Sequence, residues 1–133
     1  MKIESITFHH LSMPLVSPFE TSFGRETDRE CILITIHSEG LLGYGECVAS
    51  RDPGYNYETT GTAMHILKDF ISPLILGKDV KDVADFQARV SGIRGHHLAK
   101  AGVEMALWDL LGKRAGKSLR ELLGGVREKV EVG

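Results

Sequence analysis

Cysteine is scarce in this chain: Cys31 and Cys47 are the only two among 133 residues. A disulfide-rich secreted scaffold is thereby excluded. The spacing is no zinc motif, and neither residue has a nearby histidine suited to activating it. A three-residue loop at Ser38-Glu39-Gly40 would set the two cysteines nearly opposite each other, but in a reducing cytosol free, partly buried thiols are expected. Charge of one sign is also lacking. The net charge of −2 leaves no basic stripe, so nucleic-acid binding has no electrostatic support. Apolar runs are short: the stretch from Ile71 to Leu76 is broken by Pro73, far below the ~20 residues that span a bilayer. Met1-Lys2-Ile3-Glu4-Ser5 lacks the apolar core of a signal peptide, and the chain reads as cytoplasmic with no membrane partner. Phosphate-cradling GxGxxG and GxxxxGK[ST] motifs and the GxSxG nucleophile elbow are missing. At 133 residues the chain is too short for a (β/α)8 barrel, which takes roughly 200 or more.

What is present divides into a β part and a helical part. Ile3 to Met13 reads as a strand. Cys31 to His37 is rich in β-branched residues and runs into the turn residue Gly40. Leu41 to Val48 returns with Leu42, Tyr44 and Glu46 on one face and small residues on the other. Three successive strands suggest an antiparallel meander with one face covered by the later part of the chain. Helical spacing then takes over. Ala63, Ile66, Leu67, Phe70, Ile71 and Leu74 form one stripe, disrupted by Pro73 in its last turn. Val83, Phe86, Val90 and Ile93 form a second, closed by Gly92 and Gly95. Leu98, Ala101, Met105 and Trp108 form a third, which places Met105 and Trp108 in the core, with Lys113 and Arg114 at the favourable end of the helix dipole. Ser118 and Glu121 make a capping box for a short helix that Gly124 closes. Strands first and helices after predict an α+β fold: a three-stranded meander followed by three to four helices.

Two segments fit neither period. Pro14 to Gly24 carries Pro18, Phe19 and Phe23, and Ser50 to Tyr57 carries Asp52-Pro53-Gly54 with Tyr55 and Tyr57. Loops with several aromatics are either packed down or made to cover something; Phe19 and Phe23 serve equally as plugs at the sheet end or as a cover. No catalytic constellation stands out. Glu104 and Asp109 are five apart and share no helix face. Glu46, at a strand end, is a possible ligand but more simply a solvated or backbone-bonded carboxylate. His9-His10 and His96-His97 are adjacent pairs, not the i, i+4 pairs that grip a metal from one helix face.

The string Lys100 to Lys113 (KAGVEMALWDLLGK), continuing through Gly116 to Gly125 (GKSLRELLGG), resembles the last helices of the N-terminal capping domain of the enolase superfamily. Within it the string is most similar to the muconate-lactonizing subgroup, and there to o-succinylbenzoate synthases and N-acylamino acid racemases. The likeness extends to Pro18–Gly24, similar to the family's first lid loop, to Gly43-Tyr44-Gly45-Glu46 at the end of its third strand, and to Ser50–Tyr57, where its second lid loop falls. The resemblance implies a capping domain over residues 1–125. Residues 126–133 would begin the first strand of an ensuing barrel, with Lys129-Val130-Glu131-Val132-Gly133 as its start. In the intact enzyme two lysines and Mg²⁺, held by three carboxylates, act on a small-molecule carboxylate, the metal stabilising an enediolate. The activity implied is the dehydration that yields o-succinylbenzoate in menaquinone synthesis, with racemization of N-acylamino acids as its rival and muconate cycloisomerization and dipeptide epimerization further off. None of the catalytic groups or metal ligands is then expected in this chain, which would be inactive alone. Its partners would be its own C-terminal barrel and a further copy of the protein. Phe19, Phe23 and Tyr55 would touch substrate from the lid. A different reading, a free-standing α+β binding or dimerisation module, remains open at this level.

Overall fold

The computed structural model describes residues 1–22 and 24–132. Three strands, β1 (Ser5–Thr21), β2 (Gly24–Ser38) and β3 (Leu41–Cys47), form an antiparallel sheet in the order β1-β2-β3. Helices come next: α1 (Thr60–His65), a π segment (Ile66–Ile71), α2 (Ser72–Ile75), α3 (Val83–Val90), α4 (His97–Ala115) and α5 (Leu119–Leu122). The predicted α+β meander-then-helices order is the one observed.

Alternation along β2 decides which face is covered. Ile32, Ile34 and Ile36 are fully buried and point to the helices, each contributing about 1.5–3 kcal/mol of apolar transfer. They join Leu67, Ile71, Ile75, Phe86, Leu107 and Leu110 in one core. On β3 the residues on this face are Gly43, Gly45 and Cys47, and α4 lies directly over them. A Cβ on Gly45 would stand 2.0 Å from the carbonyl oxygen of Gly102, and one on Gly43 2.2 Å from that of Ala106. Contact this close needs glycine on the strand and small residues on the helix. The buried face of α4 is therefore Ala99, Gly102, Val103, Ala106, Leu107 and Leu110. The stripe of Leu98, Ala101, Met105 and Trp108 expected from the larger side chains is displaced to the flank. Met105 is 45% exposed and Trp108 only packs against the core from its margin, so neither is the core residue expected.

The β2–β3 turn has two residues, with Ser38 paired to Leu41. Glu39 and Gly40 both take positive φ (53° and 79°), the primed turn that matches strand twist. Compared with a three-residue loop, this register moves Cys47 opposite Ile32. Cys31, one residue along, faces the other side of the sheet, and both thiols are free and buried. Burial pushes both up from the ordinary thiol value.

Pro14 to Gly24, expected as a loop, is largely strand. β1 and β2 continue beyond the body as a two-stranded arm, pairing Pro14 with Asp28, then Phe19 with Glu26 and Thr21 with Gly24 after an irregularity between Pro14 and Phe19. Prolines are admissible because β1 is an edge strand and Pro18 falls in the irregular stretch, so neither leaves an inner ladder without a donor. Pro73 disrupts its helix, as expected, without ending it. The chain widens into the π segment ahead of it, where the Ser72 N–H bonds to Leu67 O and the Ser72 hydroxyl donates to the same oxygen at 2.7 Å, giving the proline ring room. The wider turns set the buried face at Ala63, Leu67, Ile71 and Ile75 and turn Phe70 outward, against the His65 ring at 5.3 Å. Ser118 and Glu121 form the expected capping box on α5. Residues 126–132 carry no regular structure, and Gly133, with which the expected last strand segment ends, lies outside the described residues.

Gly45→Ala should lower the unfolding free energy by about 3 kcal/mol, because Gly102 O and Ala106 N are backbone atoms that move only if α4 moves. Urea unfolding of the variant and the parent chain measures this. A loss below about 1 kcal/mol would mean that the strand–helix contact is not close-packed.

Candidate groove between the arm and the loop

Two segments that sequence periodicity left unassigned face each other in space. The arm and the segment 48–58 form the walls of a groove of about 960 Å³, with Phe19 and Tyr55 both on its lining. Phe19 is 55% exposed and Tyr55 88%, so neither is packed as a plug. Phe23, the third expected lid residue, lies outside the described residues.

The loop is fixed at both ends. Ser50 bridges Thr59, and the Thr60 N–H donates to Ser50 O at 2.9 Å. The His96 N–H donates to the Tyr57 hydroxyl at 3.1 Å. Glu58, buried at 1% exposure, accepts from Leu98 N (2.9 Å) and Ala99 N (3.1 Å). It thus caps α4 from a distant part of the chain, where the helix's own N-cap residue, His96, is left-handed and caps nothing with its side chain. A carboxylate is favoured there by the orphan N–H groups and the helix dipole.

Glu30 is the second carboxylate that periodicity missed. Its Oε1 accepts from Arg51 Nε at 2.6 Å and from the Arg51 Nη2. Its Oε2 meets His10 Nε2 at 3.0 Å and accepts from Thr60 Oγ1 at 3.2 Å. The Arg51 hydrogen bond, then the one from His10, holds the Glu30 carboxyl below the ordinary carboxylate value against the opposing effect of burial. In turn Glu30 raises Arg51. One signal in the sequence pointed here: a charged residue standing directly before the apolar run from Cys31 to Ile34. Of the histidine pairs, His10 joins this cluster and His96 opens α4. Glu46, the possible ligand, lines the groove and sits close enough to the Cys31 thiol to push it up further.

A second, shallower depression of about 620 Å³ lies on the flank of α4 and is mostly apolar, lined by Leu33, Tyr44, Met105, Trp108, Leu119 and Leu123 among others. Beside it α4 closes the free edge of β3. Asp109 accepts the Tyr44 N–H at 2.8 Å, Lys113 Nζ donates to Leu42 O at 2.7 Å, and the two side chains pair at 2.7 Å. Lys113 also stands 4.4 Å over the Tyr44 ring. Edge strands need such blunting. Asp109 thus has a structural task that its spacing from Glu104 did not suggest.

The lowered folded-state value of Glu30 means that its contribution to stability is complete above the ordinary value of 4.5 and is lost as pH falls through the folded value. Thermal melts of the parent chain and Glu30→Gln should differ most at neutral pH and converge below about pH 4.5. A constant difference down to strong acid would deny Glu30 this role.

Comparison with known proteins agrees with the geometry. The chain matches the family described as "Mandelate racemase / muconate lactonizing enzyme, N-terminal domain" over residues 2–124. It is 40% identical to an o-succinylbenzoate synthase of Bacillus subtilis and 41% identical to an N-succinylamino acid racemase of Thermus thermophilus, in both cases over 100% of this chain and 36% of the relative. A solved enolase-superfamily member from Listeria innocua superposes with a TM-score of 0.95 at 34% identity, covering 100% of this chain and 36% of that one. The chain thus spans little more than a third of the length of these relatives. It belongs to the mandelate racemase / muconate lactonizing enzyme N-terminal domain family, within the enolase superfamily.

Proposed function

We propose that this chain is the capping domain of an o-succinylbenzoate synthase, a lyase that dehydrates a cyclohexadiene carboxylate after removal of the proton α to the carboxylate. The observation that carries the reading is the match along the whole chain, at about 40% identity, to o-succinylbenzoate synthases from three Bacillus and Geobacillus sources. A racemase reading has its own support, since the Thermus thermophilus N-succinylamino acid racemase is equally similar. In both readings the catalytic lysines and Mg²⁺ belong to a barrel following residue 125, and the metal stabilises the charge that develops on the carboxylate. Among the described residues no three His, Cys, Asp or Glu side chains stand together to hold a metal ion, and no chemical step is assigned to a metal on this chain. Its residues would cover and shape the site: the arm and the loop exclude water, and Phe19, Phe23 and Tyr55 present flat apolar surface to the substrate. Such surface suits an o-succinylbenzoate-like ring and an N-acylated hydrophobic amino acid alike.

The depression flanking α4 is the face on which the barrel would seat. Leu33 (38%), Tyr44 (55%), Met105 (45%) and Leu123 (63%) are all exposed there, and apolar surface of this kind marks an interaction site. The chain alone should therefore self-associate. Sedimentation velocity at rising concentration is expected to show species above the monomer, and Met105→Glu should suppress them. A chain that stays monomeric at high concentration would remove this support.

A chimera tests the function. This chain replaces the matching N-terminal third of the Bacillus subtilis o-succinylbenzoate synthase, and both dehydration and N-succinylamino acid racemization are assayed; the 133-residue chain with Mg²⁺ is the control, expected to show no turnover. A folded chimera without either activity, or turnover by the chain alone, would sink the proposal. Within an active chimera Phe19→Ala should raise KM by a factor corresponding to roughly 1–3 kcal/mol of lost apolar contact, with the melting temperature nearly unchanged. A large loss of stability with intact kinetics would return Phe19 to the role of a plug.

A further inference from the structure

Three groups from separate parts of the chain converge on one carboxylate. Glu30 stands where β2 leaves the body and becomes the arm, and its side chain is only 9% exposed, whereas those of His10 and Arg51 are 50% and 68% exposed. Its oxygens divide the work. Oε1 takes both Arg51 contacts, and so holds the start of the loop that carries Tyr55. Oε2 takes His10, which lies on β1 opposite Ile32, just inside the root of the arm, and Thr60 at the first turn of α1. Among the described residues, the loop between Arg51 and Asn56 has no other anchor of comparable strength: Tyr55 is almost fully exposed, and the next fixed points are the Asn56 side chain accepting the Glu58 N–H and the Tyr57 hydroxyl. The arm is anchored no better, since its residues beyond Ser12 are exposed or nearly so. A two-stranded ribbon without a covered face is marginal in water, and its direction is set at its root.

We propose that Glu30 is a positioning residue that fixes the two walls of the groove relative to each other, holding the loop through Arg51 and the root of the arm, where β1 leaves the body, through His10. Breaking this shared carboxylate frees both walls while leaving the isoleucine core of β2 in place. A charge-assisted, two-point contact from a guanidinium is the kind of bond that sets orientation as well as energy. The depressed Glu30 carboxyl keeps the latch charged at neutral pH. The proposal rests on the reading above only in taking the groove as the substrate site; the coupling of the walls is measured without substrate, so the two can fail separately.

The test uses the 133-residue chain, carrying Met105→Glu throughout to suppress self-association, with nitroxide labels at Val16→Cys on the arm and Gly54→Cys on the loop; native Cys31 and Cys47 are buried and do not compete. Limited chymotrypsin digestion of the unlabelled chain reads cleavage after Tyr55. The parent should give one narrow distance distribution and slow cleavage. Glu30→Gln and Arg51→Gln should each broaden the distribution and speed cleavage after Tyr55 about tenfold, well beyond the rise in α4 cleavage that any lost global stability brings, and Arg51→Lys should restore part of the effect. Should Glu30→Gln fail to fold, Arg51→Gln decides, because its side chain lies mostly in solvent. An unchanged distribution in a folded Arg51→Gln chain overturns the proposal. So does cleavage that rises equally at all sites, which would make the pair an ordinary contributor to global stability.

Discussion

The approach of α4 to β3 is the constraint on which the remainder of the structure depends. With Gly43 and Gly45 on the strand and Gly102 and Ala106 on the helix, the two backbones meet with no side chain between them. A contact of this type has little tolerance, since backbone atoms cannot rotate aside as a side chain can. It fixes α4 along its length, and with it the reach of everything α4 carries. Asp109 and Lys113 arrive at the β3 edge within hydrogen-bond distance only because the helix is this close. The N-terminus of α4 is in turn placed where Glu58 can cap it, and Glu58 is the far end of the loop that forms one groove wall.

From that pinned body outward, the restraints thin. The helix-facing side of β2 is apolar and fully buried up to Ile32; at Glu30 the last buried group is a charged one, and beyond it the arm is exposed on both faces. A chain that stops burying apolar surface must find another way to hold direction, because the entropy of each ordered residue, about 1–2 kcal/mol, is no longer offset by a core. Here ion pairing supplies it, at the boundary where a carboxylate is shielded enough to bond strongly yet reachable from solvent-exposed partners. Stability is thus distributed unevenly, highest at the β3–α4 contact and lowest at the arm and the loop tip, the two segments that bring Phe19 and Tyr55 to the groove.

Much of this was legible in the sequence, and the failures have physical causes. The α+β order, Gly40 as a turn residue, the small face of β3, the second helical stripe and the Ser118–Glu121 box come from periodicity and turn chemistry. The core face of α4 does not follow its largest side chains, because a helix lying on a glycine strand buries its alanines and glycine and sheds Met105 and Trp108 to the flank. The π segment escaped because one extra residue per turn is invisible to a fixed period of 3.6. The arm looked like a loop because two prolines usually break a strand, an inference that holds for inner strands and not for an edge. Glu30 leaves only the trace of a charge standing before an apolar run, and Arg51 and Glu58 leave none. Their roles arise from separations of 21, 40 and 41 residues, which no local pattern encodes.

The placement of the two depressions bears on how a cap could communicate with what it covers. Glu46 lines both the groove and the apolar depression flanking α4, so the end of β3 is common to the two. In the proposed reading a barrel seated against Leu33, Tyr44, Met105 and Trp108 would reach the margin of the groove at Glu46, next to Arg51 and Val48 on the loop side. The barrel would then contribute one boundary of the site, while the arm and the loop, tied together at Glu30, contribute the others. Substrate choice by such a cap would depend less on any one aromatic residue than on the distance at which the walls are held. Relatives named as synthases and racemases are about equally similar to this chain, as expected if overall identity follows the shared body and specificity follows a few residues at the groove walls.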